Sequence, residues 1–293
     1  MPYDVVDIFD TWIVERTHLE VDPVAGKPLG RHVEHDSRSK VYAVAEADPA
    51  TLASVSWTRR TPILDQGNVG SCTGNATVGA LGTDPLFATI PTTVTLNEAE
   101  ALAIYSAAEV IDGDGPYPPN DNGSSGLSVA KAAKNAGLIS GFTHALSLAA
   151  AQNMLTVGSA ICGVSWYDSF DNPDANGHVT ITPNAQVRGG HEIELVGMDV
   201  AARTFRLANS WSATWGDHGY FTISWADFDR LLAEQGDVTQ FVARVPAPPA
   251  PTPVPAGADY AALCAVLDPW AIRRHVGQNA SAAAAWRNYR TNH

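Results

Sequence analysis

The chain has 293 residues, 45% of them hydrophobic and 17% charged. That is enough apolar material for a full core and excludes global disorder. A formal charge of −13 argues against a general nucleic-acid or anionic-membrane binder. No apolar run reaches the roughly 18 residues of a membrane span, and the start MPYDVVDIFD lacks the basic-then-apolar order of a signal peptide.

In chain order, the first predicted element is a buried helix from Cys72 to about Leu81, entered through the flexible stretch Gly67–Gly70. LNEAEALAIYSAAEVI at 96–111 has helical spacing, with Asn97 and Glu100 placed as a capping box. A further helix is predicted over 126–136, stopped by Gly137. Strands are predicted at 159–166, 191–199, 203–208 and 219–224. Another helix follows at 225–235, with Ser224 as N-cap and Gly236 just past its end. Helices dominate the first half and strands the second, an α+β pattern with segregated layers. PAPPAPTPVP at 246–255 has six prolines in ten positions, a polyproline II spacer reaching roughly 30 Å. The Ala-rich stretch 259–293 reads as a helical tail broken near Pro269, with Arg273, Arg274, Arg287 and Arg290 making it basic.

Three cysteines, Cys72, Cys162 and Cys264, cannot build a disulfide framework and leave at least one free thiol. That usage fits a reducing compartment. Cys162 in an apolar strand and Cys264 in the tail read as small packing residues. His32, His35 and Asp36 lack a ligand spacing that points to a metal. Asp112, Asp114, Asp121 and Asn122 read as a solvated loop rather than a calcium site.

Three segments carry chemistry: DQGNVGSCTGNA at 65–76, GGHEIELVGMD at 189–199 and LANSWSATWGDHGYF at 207–221. A cysteine is nucleophilic as its thiolate, and a free thiol near pKa 8.5 is mostly protonated at neutral pH. A helix N-terminus beside an imidazolium can lower that pKa by several units. Cys72 is predicted to occupy such a terminus, with His191 as its base and later general acid. Asn209 is placed to accept the second ring N–H and fix the tautomer. Gln66 offers an amide suited to an oxyanion, alongside the Cys72 backbone N–H.

In this order the segments resemble the papain family of cysteine peptidases, whose pattern is QGxCGSCW, a strand-borne His, then NSWGxxWGxxGY. Gln66, Cys72, His191 and Asn209 fall on the oxyanion Gln, the nucleophile, the base and the orienting Asn. Trp211 falls on the tryptophan that shields the His–Asn hydrogen bond, and 121–139 is similar to the stretch that lines the substrate cleft. Gly123 and Ser124 would then form the lip where substrate backbone pairs in extended form. Val69 replaces a cysteine of the family pattern and Thr73 an aromatic, which is closer to bacterial and phage members. The Cys-to-His separation of 119 residues falls short of the roughly 130–150 of the lysosomal type, so loops between them are trimmed.

The resemblance implies a two-part α+β architecture, a helical left half and an antiparallel β-barrel-like right half with the cleft between them. It divides the chain into a strap at 1–56, a peptidase domain at 57–245, a Pro-rich linker at 246–258 and the tail at 259–293. In the family, the residue after the catalytic His borders the S2 pocket. Here it is Glu192, which would favour Lys or Arg at P2, or else turn to solvent or pair with Arg188. Glu194 shares its face by strand alternation.

The expected activity is endopeptidase hydrolysis through a Cys72 thioester, on a polypeptide substrate, with no metal or organic cofactor. The alternatives are a transpeptidase or amidase using the same thioester, and a non-catalytic peptidase fold docked through its tail. An acidic, cell-wall or virion partner is expected for that tail, and a cytoplasmic or virion-associated location for the chain.

Overall fold

The computed structural model describes residues 51–244, together with 4–5, 15–17, 29–35, 45–46 and 48. The predicted linker, the tail with Cys264, Asp36 and most of the strap lie outside the described residues.

Three helices build the first half: α1 (Cys72–Leu81), α2 (Glu98–Asp112) and α3 (Gly126–Asn135). Every residue of α1 is buried, and its small side chains let neighbours approach closely. A Cβ on Gly74 would overlap the backbone of Ala101 in α2. The Asn97 side chain accepts the Glu100 amide at 3.1 Å to start α2, a cap of about 1 kcal/mol. Gly113 closes the helix in the left-handed region at φ 87°. Ser125 caps α3 through the Ser128 amide at 3.0 Å, and Gly137 at φ 70° follows its end. Leu64, Val78, Leu81, Ile104, Val129 and Leu138 share the core between these helices.

The second half is an eight-stranded sheet containing β4 (Val55–Ser56), β5 (Gly141–Ala145), β6 (Ala160–Tyr167), β7 (His178–Val179), β8 (Val187–Asp199), β9 (Thr204–Ala208), β10 (Tyr220–Ser224) and β11 (Asp237–Val242). Its strand order is β5-β11-β6-β8-β9-β10-β7, with β4 on β8, and every pairing is antiparallel except β10 with β7. The expected antiparallel half is therefore this open sheet, with β5 and β7 as its edges. Helices α4 (Leu148–Leu155) and α5 (Trp225–Ala233) accompany it, each capped by a serine, Ser147 and Ser224. Trp166, Ile193, Leu195, Phe205, Phe221 and Phe228 belong to its core.

Central strand β8 is buried from Arg188 to Met198. Both of its faces are covered, so its charged side chains must meet partners inside the protein. A small sheet of β1 (Asp4–Val5), β2 (Glu15–Thr17) and β3 (Val33–His35) belongs to the strap.

Candidate active site

Cys72 is the first residue of α1, and its own N–H lies among the amides that no helical carbonyl can reach. His191 stands on β8, paired in register with Val164 of β6. Asn209 follows β9, and its Oδ1 accepts from His191 Nε2 at 2.8 Å and from the Ser210 amide at 2.8 Å. That leaves His191 Nδ1 buried without a hydrogen-bond partner.

Two tryptophans hold the imidazole. Trp211 lies over it with centroids 4.9 Å apart at 31°, and Trp166 meets it edge-on at 4.9 Å and 77°. The Trp166 indole N–H goes to Asp171 Oδ1 at 2.9 Å, and Arg188 Nη1 binds the same oxygen at 2.6 Å. Trp166 was absent from the sequence reading. Its signal was alternation within β6, which puts it on the same face as Val164, opposite His191 in the register.

Gln66 joins the helical half to the loop that carries Asn209. Its amide N–H donates to the Ser210 carbonyl at 3.0 Å, and its Oε1 accepts the Ser210 hydroxyl at 2.6 Å. Its Nε2 donates one hydrogen to the Val69 carbonyl at 2.9 Å. These bonds fix which way the side-chain amide faces.

The backbone amides of Glu192 and Gly30 both hydrogen-bond toward the Cys72 sulfur. The first brings β8 against the Cys72 sulfur, and the second brings the strap. Cys72 and His191 are wholly buried. Burial pushes the Cys72 thiol up to about 12, against which the Glu192 amide is the largest opposing influence. Burial likewise lowers His191 to about 4, with the Asn209 bond opposing it and the Arg188 charge adding to it. The helix-terminus argument predicted a lowered thiol pKa. Loss of water outweighs it in this closed arrangement.

The lip predicted at Gly123 and Ser124 is filled by the strap. Ser124 N–H donates to the Gly30 carbonyl at 2.7 Å, and His32 N–H donates to the Ser124 carbonyl at 2.7 Å. Arg31 N–H donates to the Gly190 carbonyl at 3.0 Å, on the residue before His191. An extended segment thus pairs with both halves at once. Glu34 accepts the Ser125 hydroxyl at 2.7 Å and anchors the strap to the start of α3.

Glu192 is fully buried and does not reach solvent. Arg188, the partner the sequence offered it, binds Asp171 instead. Glu192 shares a pocket with Arg31 and Asp237, a residue the sequence reading did not single out. Glu194 pairs with Arg59 at 2.5 Å and accepts the Thr83 hydroxyl at 2.6 Å. The acids of the 112–122 loop act as internal acceptors. Asp112 takes the hydroxyls of Ser124 and Ser128, each at 2.6 Å, and Asp121 takes the Gly70 amide at 2.9 Å.

The family model described as papain family cysteine protease matches residues 96–230. That span includes His191, Asn209 and Trp211 and begins after Cys72. Among solved structures, xylellain, a cysteine protease from Xylella fastidiosa, is similar at TM-score 0.60 and 20% identity, covering 75% of this chain and 97% of that one. The cysteine protease CMS1MS2 of Carica candamarcensis aligns at TM-score 0.48 and 16% identity, over 66% of this chain and 99% of that one. Digestive procathepsin L 3 of Tenebrio molitor aligns at TM-score 0.48 and 15% identity, over 74% and 76%. A search of curated proteins gave no significant match. The chain is papain-like in fold, and in sequence over residues 96–230.

Proposed function

We propose that this papain-like chain is a cysteine endopeptidase with Cys72 as nucleophile, His191 as base and acid, Asn209 as orienting residue and Gln66 as oxyanion donor. The observation that carries the reading is the buried His191 Nε2–Asn209 Oδ1 bond beneath Trp211, on a strand whose next amide touches the Cys72 sulfur. With one ring nitrogen committed to Asn209, Nδ1 is the atom left to exchange a proton with the thiol.

The Cys72 proton passes to His191 Nδ1, and the sulfur adds to the substrate carbonyl carbon. The resulting oxyanion takes hydrogen bonds from the Cys72 backbone N–H and the Gln66 side-chain amide. Collapse breaks the C–N bond, and the imidazolium gives its proton to the leaving amine. Water then attacks the thioester, with His191 removing its proton. The acid product leaves and the thiol is restored. No step draws on a metal or an organic cofactor.

Residues 57–245 are the catalytic unit in this reading, 1–56 the strap, 246–258 a spacer and 259–293 a basic tail. The test is hydrolysis of a fluorescent-quenched peptide library by the full chain, Cys72→Ala and His191→Ala, with mass spectrometry of the products. Cleavage by the full chain that both substitutions abolish is the expected result. Mass gain at the new C-terminus with added amine would show transfer in place of hydrolysis. Absence of any cleavage together with an unreactive Cys72 in the strap-displaced protein would overturn the catalytic reading.

A further inference from the structure

Asp171 closes the short turn Asp168–Phe170 that follows β6, and it holds Trp166, Arg188 and Trp215 at once. Its Oδ1 accepts the Trp166 indole N–H at 2.9 Å and Arg188 Nη1 at 2.6 Å. Its backbone carbonyl accepts the Trp215 indole N–H at 2.9 Å. Trp166 is wholly buried and is the hub of the aromatic wall. It meets His191 and Trp211 at 4.9 Å, Phe170 at 5.3 Å and Phe221 at 5.9 Å. Those ring contacts tolerate some tilt, so the indole N–H is the directional hold on Trp166.

The tilt of Trp166 matters because the imidazole beside it is held at one atom. His191 Nε2 bonds to Asn209, while Nδ1 has no hydrogen-bond partner. One bond leaves the ring able to swing about its Cβ–Cγ axis. Trp211 lies over it at 31° and Trp166 meets it at 77°, and these two steeply inclined walls leave the ring one seat. Charge adds a second link. Arg188 is 3% exposed, and its charge holds His191 toward the neutral form. Proton transfer from Cys72 needs the reverse, since His191 must carry positive charge until the amine leaves. The Asp171 carboxylate, 2.6 Å from Arg188 Nη1, offsets that charge. The side chains that meet the imidazole from β6 and from the loop after β9, Trp166, Asn209 and Trp211, are uncharged. Glu192, next on β8, bears on Cys72 at the start of α1.

We infer that Asp171 is a positioning residue for His191: it fixes the tilt of Trp166 against the imidazole and neutralises Arg188, without touching substrate. Its kinetic consequences rest on the peptidase reading, whereas the seating of the ring does not. The carboxylate thus has two separable duties, as an acceptor for the indole and as a countercharge for the guanidinium.

Four variants of the full chain separate the two duties. Asp171→Asn keeps an acceptor and loses the charge, leaving Arg188 to oppose the proton shared by Cys72 and His191. The alkaline limb of kcat/KM, where that proton is lost, should move down by roughly one pH unit. Arg188→Met should move the same limb up. A merely structural role would lower stability and leave both limbs in place, and limbs that stay in place would overturn the charge duty. The pairs Asp171→Asn/Arg188→Met and Asp171→Ala/Arg188→Met carry equal charge and differ only in the acceptor. The alanine pair should lose about 10- to 100-fold in kcat with KM nearly unchanged, and the asparagine pair should regain most of it. Equal kcat in the two pairs would overturn the acceptor duty and leave the peptidase intact.

The last measurement needs no turnover. The ¹H–¹⁵N signal of His191 Nε2 at pH 7 should match the wild type in the asparagine pair and move in the alanine pair, as the ring current of a tilted Trp166 changes. A signal that moves in this way in a chain that cleaves no peptide supports the positioning and counts against the peptidase. A signal identical in both pairs overturns the positioning. Should the alanine pair fail to fold, Trp166→Phe removes the indole N–H in its place and the same signal is read. If that variant fails too, the two pH limbs decide.

Discussion

Protonation at Cys72 is decided by water. With the thiol pushed up to about 12 and the imidazole held near 4, both groups are neutral across the whole range between those values. An exposed cysteine ionises near 8.5, so iodoacetamide at pH 8 should modify Cys72 of the intact chain far more slowly than a peptide thiol, and urea should abolish the difference. Mass spectrometry of the labelled site reads this directly, and fast labelling of the folded protein would refute the closed arrangement. Gln66 is a cleaner probe of chemistry, because Ser210 and Val69 already fix its amide. Gln66→Ala removes one oxyanion donor and should lower kcat about 10²- to 10³-fold with little change in KM. A loss of threefold or less would take Gln66 out of the mechanism.

Strand β8 concentrates the problem of buried charge, since Arg188, Glu192 and Glu194 all lie in it without access to solvent. Arg188 is answered by Asp171 and Glu194 by Arg59, while Glu192 feels the charge of Arg31, whose own ion pair is with Asp237. Removing one member of such a pair leaves the other uncompensated, at about 3–5 kcal/mol. Arg59→Met should therefore destabilise the chain by about that much, and the penalty should depend on pH. Burial already raises Glu194, with Arg59 holding it down. Without that arginine the folded state prefers the protonated acid while the unfolded chain ionises it above the ordinary carboxylate range. Stability is then lost as pH rises from there, so urea melts should show a larger deficit at pH 8 than at pH 5.

The same strand shows what the sequence could convey. Helices with side-chain caps announced themselves: Asn97 with Glu100 sits where the spacing put it, and Ser224 caps its helix by accepting the Asp227 amide at 3.0 Å. The motif residues sit on elements whose types were readable: Cys72 opens α1, His191 stands within β8 and Asn209 follows β9. The short strands β5 and β11 gave no pattern of their own and form by pairing with each other, Phe142 opposite Phe241. Helix α4 was hidden in an alanine run with Ser147 as its only punctuation. The surroundings of Glu192 were unreadable for a different reason. Arg31 and Asp237, the charges that bear on it, lie far away along the chain, and the nearer candidate Arg188 was taken by Asp171.

At the scale of the whole molecule, the segment 29–34 ties the two halves together across the cleft. Its backbone bonds to Ser124 in the helical half and to Gly190 in the sheet, while Leu29 enters the core of the sheet and Glu34 holds the start of α3. Gly30 is the point where nothing larger fits, since a Cβ there would overlap the Gly70 carbonyl. Gly30→Ala must push the strap away from Gly70 and so away from the sulfur. Water then reaches Cys72 and His191, the burial that separates their pKa values weakens, and an ion pair between them becomes accessible. The expected result is faster alkylation of Cys72 at pH 8, with a pH profile shifted downward and the far-UV circular dichroism unchanged. Displacing the strap also forfeits its hydrogen bonds, so the melting temperature should fall by several degrees. Equal alkylation rates in Gly30→Ala and the wild type would mean that the strap does not control access to Cys72.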